Sequence, residues 1–228
     1  MSGTMSGTMS GAWDWAFAAS ILPQLLAATG YSVLATMLAF AGALLLGLPL
    51  ALARDAASRP LRVASGAMVE LVRSTPILIQ VYFLYFFLPT LGIVLPALTV
   101  GVIALAGHYA TYVSEAYRAG LASVTRGQRD AAAALGLAPR DAFVSVILPQ
   151  AIPPIVPALG NHLIAMFKET PLLSAIAIVE LLQTAKLIGS ETFRYNEPIT
   201  IVGLIFLALS LVSAALLRRI EKRVNRWR

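Results

Sequence analysis

The chain has 228 residues, of which 58% are hydrophobic and only 12% are charged, and its formal net charge is +6. Soluble domains usually carry about twice that charged fraction, so the composition indicates a membrane protein with several spans. No cysteine is present, which excludes a disulfide framework and thiolate metal or redox sites.

The first segment, residues 1–11, is expected to be disordered or to be an artefact of an alternative start. It contains a tandem Met-Ser-Gly-Thr repeat at residues 1–4 and 5–8. No Lys or Arg occurs within positions 1–23, so the basic region that opens a cleavable signal peptide is missing. We therefore treat residues 12–228 as a single transmembrane domain.

Five long apolar stretches follow, each about 18 residues or more, which is the length that crosses a bilayer. Backbone polar groups in hydrocarbon need partners within their own segment, so we expect helices and an all-α fold. The predicted spans are residues 24–53, 67–88, 96–118, 151–182 and 198–217.

The basic residues outside these spans predict the orientation. Two, Lys186 and Arg194, lie on one side of the predicted bilayer. Thirteen lie on the other side: Arg54, Arg59, Arg62, Arg118, Arg126, Arg129, Arg140, Arg218, Arg219, Lys222, Arg223, Arg226 and Arg228. Because basic loops stay in the cytoplasm, we expect the N-terminus outside and the C-terminus in the cytoplasm. The net positive charge therefore reflects membrane topology, and we expect no nucleic-acid partner.

The cytoplasmic loop between the third and fourth spans, residues 119–149, has helix signals of its own. Thr125 and Gln128 fit a capping box, with Thr125 as the N-cap. The alanine-rich run from Asp130 has a high helix propensity. Gly136 is suited to end that helix in a left-handed conformation.

A second short helix is predicted after the glycine. Pro139 is suited to its first turn, and we expect it to run to Leu148 and to stop at Pro149. A helix with small side chains, followed by a glycine turn and another helix, can enter a cleft on a partner protein. The alternative is an amphipathic helix that rests on the membrane surface.

Charged residues within the predicted spans are candidates for function, since a charge at membrane depth costs several kcal/mol. Glu115, Lys168 and Glu169 are the strongest of these. We expect Lys168 to pair with Glu115 or with a partner chain. Asn161 lies about two helical turns before Lys168 and shares its face.

The dipeptide Thr170-Pro171 is predicted to interrupt the fourth span, because Pro171 lacks a backbone donor and leaves the carbonyl of Phe167 free. Transporters often place solute contacts at such interruptions. The predicted substrate pathway is therefore the set Glu115, Asn161, Lys168, Glu169 and Thr170. A zwitterionic solute would need both signs of charge there; the alternative is a polar network that holds helices together.

Other polar residues near the spans are predicted to have structural roles. We expect Arg73 and Glu70 to form a pair that snorkels to the cytoplasmic interface. His108 and His162 lack metal-ligand spacing and are expected to be packed polar residues.

The sequence disfavours two functional classes of membrane protein. A membrane-embedded protease would need a motif such as His-Glu-x-x-His, and the sequence has none. A stand-alone secondary transporter usually shows paired repeats, and five spans divide poorly into two. The chain also has no Gly-x-x-x-x-Gly-Lys-Ser/Thr loop, so ATP would have to be bound by another polypeptide.

The loop sequence resembles the segment by which permease subunits of ABC importers grip their ATPase. That pattern is Glu-Ala-Ala, three residues, Gly, nine residues, then Ile-x-Leu-Pro. It is matched here by Asp130-Ala131-Ala132, Gly136 and Val146-Ile147-Leu148-Pro149, with Asp for Glu and Val for Ile. The stretches Glu70–Pro76 and Lys168–Ser174 resemble segments of the polar-amino-acid permeases. Within that family the chain looks most like ectoine/hydroxyectoine permeases at His108–Tyr112, Pro157–Asn161 and Gly189–Tyr195.

The resemblance implies a non-catalytic permease domain in the bacterial cytoplasmic (inner) membrane, without metal or cofactor. The implied partners are an ABC ATPase dimer, an extracytoplasmic solute-binding protein and a second, related permease, with a homodimer as the alternative. The implied ATPase contacts are Asp130, Ala131, Ala132, Leu135, Gly136 and Ala138. The implied solute is ectoine or hydroxyectoine; the alternative is arginine, histidine, glutamine or an opine.

Overall fold

The computed structural model describes residues 13–224, and the predicted N-terminal segment 1–11 lies outside this range. The described part is all-helical, which confirms the predicted class. Its helices are α1 (Trp15–Arg54), α2 (Arg59–Ser74), α3 (Ile77–Phe87), α4 (Ala97–Ala122), α5 (Arg126–Ala134), α6 (Pro139–Ala142), α7 (Leu148–Glu169), α8 (Leu181–Thr192) and α9 (Asn196–Val224). Short 3₁₀ helices occupy Leu88–Leu91 and Thr170–Ile176, and a π-helical turn occupies Phe143–Ile147.

Four helical segments are long and apolar enough to cross a membrane: Trp15–Arg54, Ala97–Ala122, Pro139–Ile176 and Asn196–Val224. A fifth span is obtained if α2 and α3, which meet at 101°, count as one broken span. The number of predicted spans is therefore confirmed when the broken pair is counted. The prediction of a continuous second span over 67–88 was wrong, because Thr75 and Pro76 have extended conformations that separate α2 from α3.

The first span begins at Trp15 instead of residue 24 because Asp14 caps it. The Asp14 carboxylate accepts hydrogen bonds from the backbone N–H groups of Ala16 and Phe17 at 2.9 and 3.1 Å. These bonds satisfy donors that a helix N-terminus leaves without partners. The helix then continues for 40 residues, and Asp55 is its C-terminal cap.

The central pair of the fold is α1 and α4, which approach closely through small residues. A Cβ atom on Gly47 would lie 2.6 Å from Cγ1 of Val113, and one on Gly42 would lie 2.9 Å from Cβ of Ala106. Small side chains allow such an approach and are typical of helix contacts within membranes. Around this pair α3, α7 and the Thr170–Ile176 turn complete the main apolar core.

The chain passes from α6 into α7 without a stop. The prediction of a helix end at Pro149 was wrong: the Phe143–Ile147 π-turn runs directly into α7, where Pro149 occupies the first turn. Proline is tolerated at that position because the π-turn before it already interrupts the regular α-helical hydrogen-bond pattern. The fourth span also ends at Ile176 instead of residue 182, since Ala177 has a left-handed conformation with φ of 58°.

Candidate functional site

The turn after α5 has the geometry that the sequence predicts. Gly136 has φ of 71°. Its N–H donates to the carbonyl of Ala133 at 3.0 Å, and the N–H of Leu137 donates to the carbonyl of Ala132 at 3.2 Å. These two bonds form a Schellman motif, in which glycine is favoured because it adopts a left-handed conformation at little cost. The predicted glycine turn is confirmed.

Most of the residues predicted to contact an ATPase are accessible. Asp130, Ala131, Gly136 and Ala138 are exposed, and Leu135 exposes 79% of its surface although it is apolar. The exception is Ala132, which is 2% exposed and faces the rest of the chain. The first short helix therefore presents one side to solvent and packs its other side inward.

The α5 helix is tied to both spans that flank it. An Nη atom of Arg129 donates to the carbonyl of Leu121 in α4 at 2.9 Å. The side-chain amide of Gln150 in α7 donates to Gln128 in α5 at 3.2 Å. The predicted capping box is not formed, since Thr125 makes no side-chain cap and Gln128 is engaged by Gln150 instead.

The spans above α5 are also in close contact. A Cβ atom on Gly120 of α4 would lie 2.2 Å from Cγ1 of Ile155 in α7. Val124, two residues after the end of α4, packs with Ala151 and Ile155 in a small buried cluster. Helix α5 is therefore bonded to two helices, α4 and α7, that are themselves packed together.

The predicted substrate-pathway residues of α7 fall into two environments. Asn161 and Lys168 are both exposed on one side of the helix. Glu169 is half-buried, its carboxylate interacts with the side chain of Tyr109, and its Oε2 atom is buried. The exposed amide of Asn161 and the exposed ammonium group of Lys168 could bind a polar solute or a partner helix.

Thr170 is fully buried and has a local role. Its hydroxyl and its backbone N–H both donate to the carbonyl of Phe167, the former at 2.8 Å. The predicted interruption of the span is confirmed by the 3₁₀ segment that begins here. The predicted free carbonyl was wrong, because Thr170 occupies the acceptor that Pro171 leaves without its usual donor.

Glu115 lies away from Lys168, so the predicted ion pair between them was wrong. Helices α4 and α7 are antiparallel, because Gly120 packs on Ile155 while the ring centroids of Tyr109 and His162 lie 6.4 Å apart. Lys168 is therefore level with the first half of α4. Glu115 instead forms ion pairs with Arg54 and Arg118 at the end of the bundle that carries α5.

Arg73 contacts α4, and within residues 13–224 it makes no ion pair, so the predicted pair with Glu70 was wrong. Its Nε and Nη2 atoms donate to the side chain and backbone carbonyl of Thr111. Its guanidinium group also lies 4.5 Å from the ring centroid of Tyr112. The bend between α2 and α3 allows Arg73 to reach α4. No pattern in the sequence indicates the direction of this bend.

The two histidines lie beside this arginine. His108 is buried and its Nδ1 lies 3.1 Å from the amide of Gln80, which also donates to the carbonyls of Val72 and Thr75 at the break between α2 and α3. His162 packs against Tyr109 and Tyr112. Both are packed polar residues, as the sequence predicts.

Glu180 is a buried residue that the sequence reasoning missed. It is fully buried and accepts from the N–H groups of Leu182 and Gln183 at 2.9 and 2.8 Å, which caps α8. The hydroxyl of Ser32 in α1 donates to it at 3.3 Å. The signal was available, since Glu180 lies within the predicted span 151–182 and a carboxylate within a span is a candidate for function.

Comparison with known proteins agrees with this geometry. Residues 43–226 match the family described as the binding-protein-dependent transport system inner membrane component. A probable amino-acid ABC transporter permease of Sinorhizobium fredii, y4tG, is 44% identical over 90% of this chain and 89% of its own length. The arginine transport system permease ArtQ of Bacillus subtilis is 33% identical, over 80% and 84%.

Solved structures show the same fold. The crystal structure of an amino acid ABC transporter with histidines matches with a TM-score of 0.87 and 36% identity, over 93% of this chain and 99% of that one. An inward-facing MetNI methionine ABC transporter matches with a TM-score of 0.70 and 20% identity, over 93% and 99%, which supports the fold alone.

These matches cover the five-span bundle and the exposed α5 loop together. A chain of this kind is a non-catalytic membrane subunit that works with an ATPase and a solute-binding protein. The protein belongs to the family of inner membrane components of binding-protein-dependent ABC transport systems.

Proposed function

We propose that this chain is the permease subunit of an ATP-driven importer of a polar amino acid. The observation that carries the proposal is its 44% identity to a probable amino-acid permease over nearly the whole of both chains. The 36% identity to an amino acid transporter of known structure adds support. These relatives favour the amino-acid alternative over the expected ectoine, which stays as the competing solute.

The proposed orientation places α5 in the cytoplasm and the N-terminus outside. Its support is the concentration of basic residues at the α5 end of the bundle and after α9. Because the chain has no cysteine, single cysteines at Ser145 and Ser190, both exposed, would test it. A membrane-impermeant maleimide added to intact cells should label position 190 alone; labelling of position 145 alone would reverse the orientation.

The ATPase is proposed to bind α5 and the following turn. The proposed contact residues are Asp130, Ala131, Leu135, Gly136 and Ala138, while the buried Ala132 packs α5 against the rest of the chain. The exposed apolar surface of Leu135 and the rigid Schellman turn support this assignment. Closure of the ATPase dimer on ATP would then displace α5, and with it α4 and α7, so that the solute cavity changes the side to which it opens.

The solute is proposed to contact Asn161, Lys168 and Glu169, with Thr170 shaping the end of α7. A zwitterion gives up its hydration only if the site supplies both a positive and a negative group, and the exposed Lys168 and the half-buried Glu169 side chain are the candidates for these two groups. Glu115 is excluded from the proposed solute site because its carboxylate forms ion pairs with two arginines. The exposed side of α7 would face the second permease, which we propose to be a related chain.

The test is ATP-dependent uptake by proteoliposomes that hold the whole complex, with radiolabelled arginine, glutamine, histidine and ectoine in parallel. Uptake of an amino acid that excess ectoine does not inhibit would support the proposal. Uptake of ectoine that no amino acid inhibits would replace the solute and leave the permease assignment in place. Uptake that persists without the ATPase would refute the ATP-driven mechanism.

A further inference from the structure

Four charged side chains join α1 to α4 at the end of the bundle that carries α5. Glu115 of α4 accepts hydrogen bonds from Arg54, in the last turn of α1, and from Arg118, whose Nη1 lies 3.2 Å from its Oε2. The Nε of Arg118 also donates to Asp55, the C-cap of α1, at 2.8 Å. We call these four residues the Glu115 cluster. It holds two positive and two negative charges, so it is balanced within itself.

The cluster lies next to α5, the helix on which the ATPase is proposed to act. Arg118 is in the last turns of α4, which ends at Ala122, and α5 begins at Arg126. The bond from Arg129 to the carbonyl of Leu121 fixes α5 to the same end of α4. A push on α5 therefore reaches α4 within one helical turn of the cluster.

The rest of the α1–α4 contact is largely apolar and contains few directional bonds. It is made largely by small apolar residues such as Ala39, Ala43 and Gly47, whose contacts have no directional preference. Tyr117 adds one long hydrogen bond, 3.5 Å, to the carbonyl of Leu44. Charge-assisted bonds are directional and stronger than neutral ones, so the Glu115 cluster adds a directional lock to this apolar packing.

We propose that Glu115 is a positioning residue that locks the end of α1 to α4, so that both helices move together when the ATPase displaces α5. This inference rests on the proposed docking of the ATPase at α5. Without the Glu115 charge, Arg54 and Arg118 would face each other across the joint with only Asp55 to offset them. The Arg118–Asp55 pair would then be the one remaining bond of the cluster between the two helices, so α4 would move more freely relative to α1 and ATP hydrolysis would continue with less transport.

The test is the number of solute molecules taken up per ATP hydrolysed by the reconstituted complex. Glu115→Gln keeps the shape and removes the charge, and it should lower this ratio at least about threefold, while hydrolysis and assembly persist. Glu115→Asp, which keeps the charge on a shorter side chain, should recover part of the ratio. Glu70→Gln is the matched control, since Glu70 is exposed and makes no ion pair in residues 13–224.

Additivity separates this role from a general loss of stability. If Arg54 acts through Glu115, adding Arg54→Gln to Glu115→Gln should lower the ratio little further. An unchanged ratio in Glu115→Gln would overturn the inference, as would loss of assembly in Glu115→Gln and Glu115→Asp alike. A raised KM for the solute with an unchanged ratio would instead return Glu115 to the substrate pathway. The ratio is measured with whichever solute the wild-type complex takes up. An error in the proposed solute would therefore appear in the uptake by the wild-type complex and would leave the test of Glu115 unaffected.

Discussion

Arg194 and Asp14 are 180 residues apart in sequence, yet the Nη1 of Arg194 lies 3.0 Å from the Oδ2 of Asp14. Arg194 also pairs with Glu197, which accepts from the backbone N–H of Asp14 at 3.2 Å. This contact ties the start of α1 to the segment between α8 and α9. Since Glu115 engages the opposite end of α1, the longest helix is held at both ends by an arginine and carboxylates.

Loss of the Asp14 contact should destabilise the protein in a pH-dependent way. Hydrogen bonds from the backbone N–H of Phe17 and from the Arg194 guanidinium lower the pKa of Asp14 below its usual 3.8. A lowered pKa means that the stabilisation is complete above the unfolded value and is lost as the pH falls through the folded one. Asp14→Asn should therefore lower the melting temperature in detergent at pH 7, and the difference from wild type should shrink below about pH 4.

The control for this measurement is Asp141→Asn, an exposed aspartate without an ion pair in residues 13–224. It should leave the melting temperature at pH 7 close to the wild-type value. Equal melting temperatures for wild type and Asp14→Asn at pH 7 would show that the ion pair contributes nothing to stability.

Substitution of Gly136 should uncouple ATP hydrolysis from uptake. At φ of 71° a residue with a side chain costs about 1–2 kcal/mol, and a β-branched one fits this region least. Gly136→Val should therefore distort the Schellman turn and reduce uptake, whereas Gly136→Asn should be tolerated, because asparagine visits this conformation. Uptake and co-purification of the ATPase are the measurements. Wild-type uptake and assembly in Gly136→Val would contradict the docking assignment.

Removal of the Lys168 charge should weaken solute handling without affecting the ATPase contact. If its ammonium binds the carboxylate of the solute, Lys168→Ala should raise the KM for uptake by about tenfold or more, the cost of a lost charged hydrogen bond. Lys186→Ala, at an exposed lysine on α8, should leave the KM unchanged. Loss of the permease pair in Lys168→Ala would support the structural network instead.

Gly120 should be intolerant of a side chain. A Cβ atom there would lie 2.2 Å from Cγ1 of Ile155 and 3.0 Å from the carbonyl oxygen of Ala151. Overpacking of this kind typically costs about 1–3 kcal/mol, so Gly120→Ala should lower the melting temperature. Adding Ile155→Ala removes the closest of these contacts, and the double variant should be less destabilised than the sum of the two single changes. Strict additivity would mean that α4 and α7 are farther apart than the structure places them.

The sequence by itself determined the helical class, the number of spans and the α5 turn. Hydropathy suffices for the spans because a backbone in hydrocarbon must satisfy its own polar groups, which leaves few alternatives to a helix. The turn at Gly136 is likewise local, since the residues that make its two hydrogen bonds lie within six positions of one another. Such features depend on neighbouring residues, so they can be read from the chain directly.

The tertiary structure alone decided which charged groups meet. Glu115 pairs with Arg54 and not with Lys168 because the antiparallel alignment of α4 and α7 carries Lys168 to the other end. Arg73 reaches Thr111 only because α2 meets α3 at 101°. Ion pairs between helices depend on how far each helix is shifted along its neighbour and on where each one bends. Those quantities are set by side-chain packing across the whole bundle, and no local pattern in the sequence encodes them.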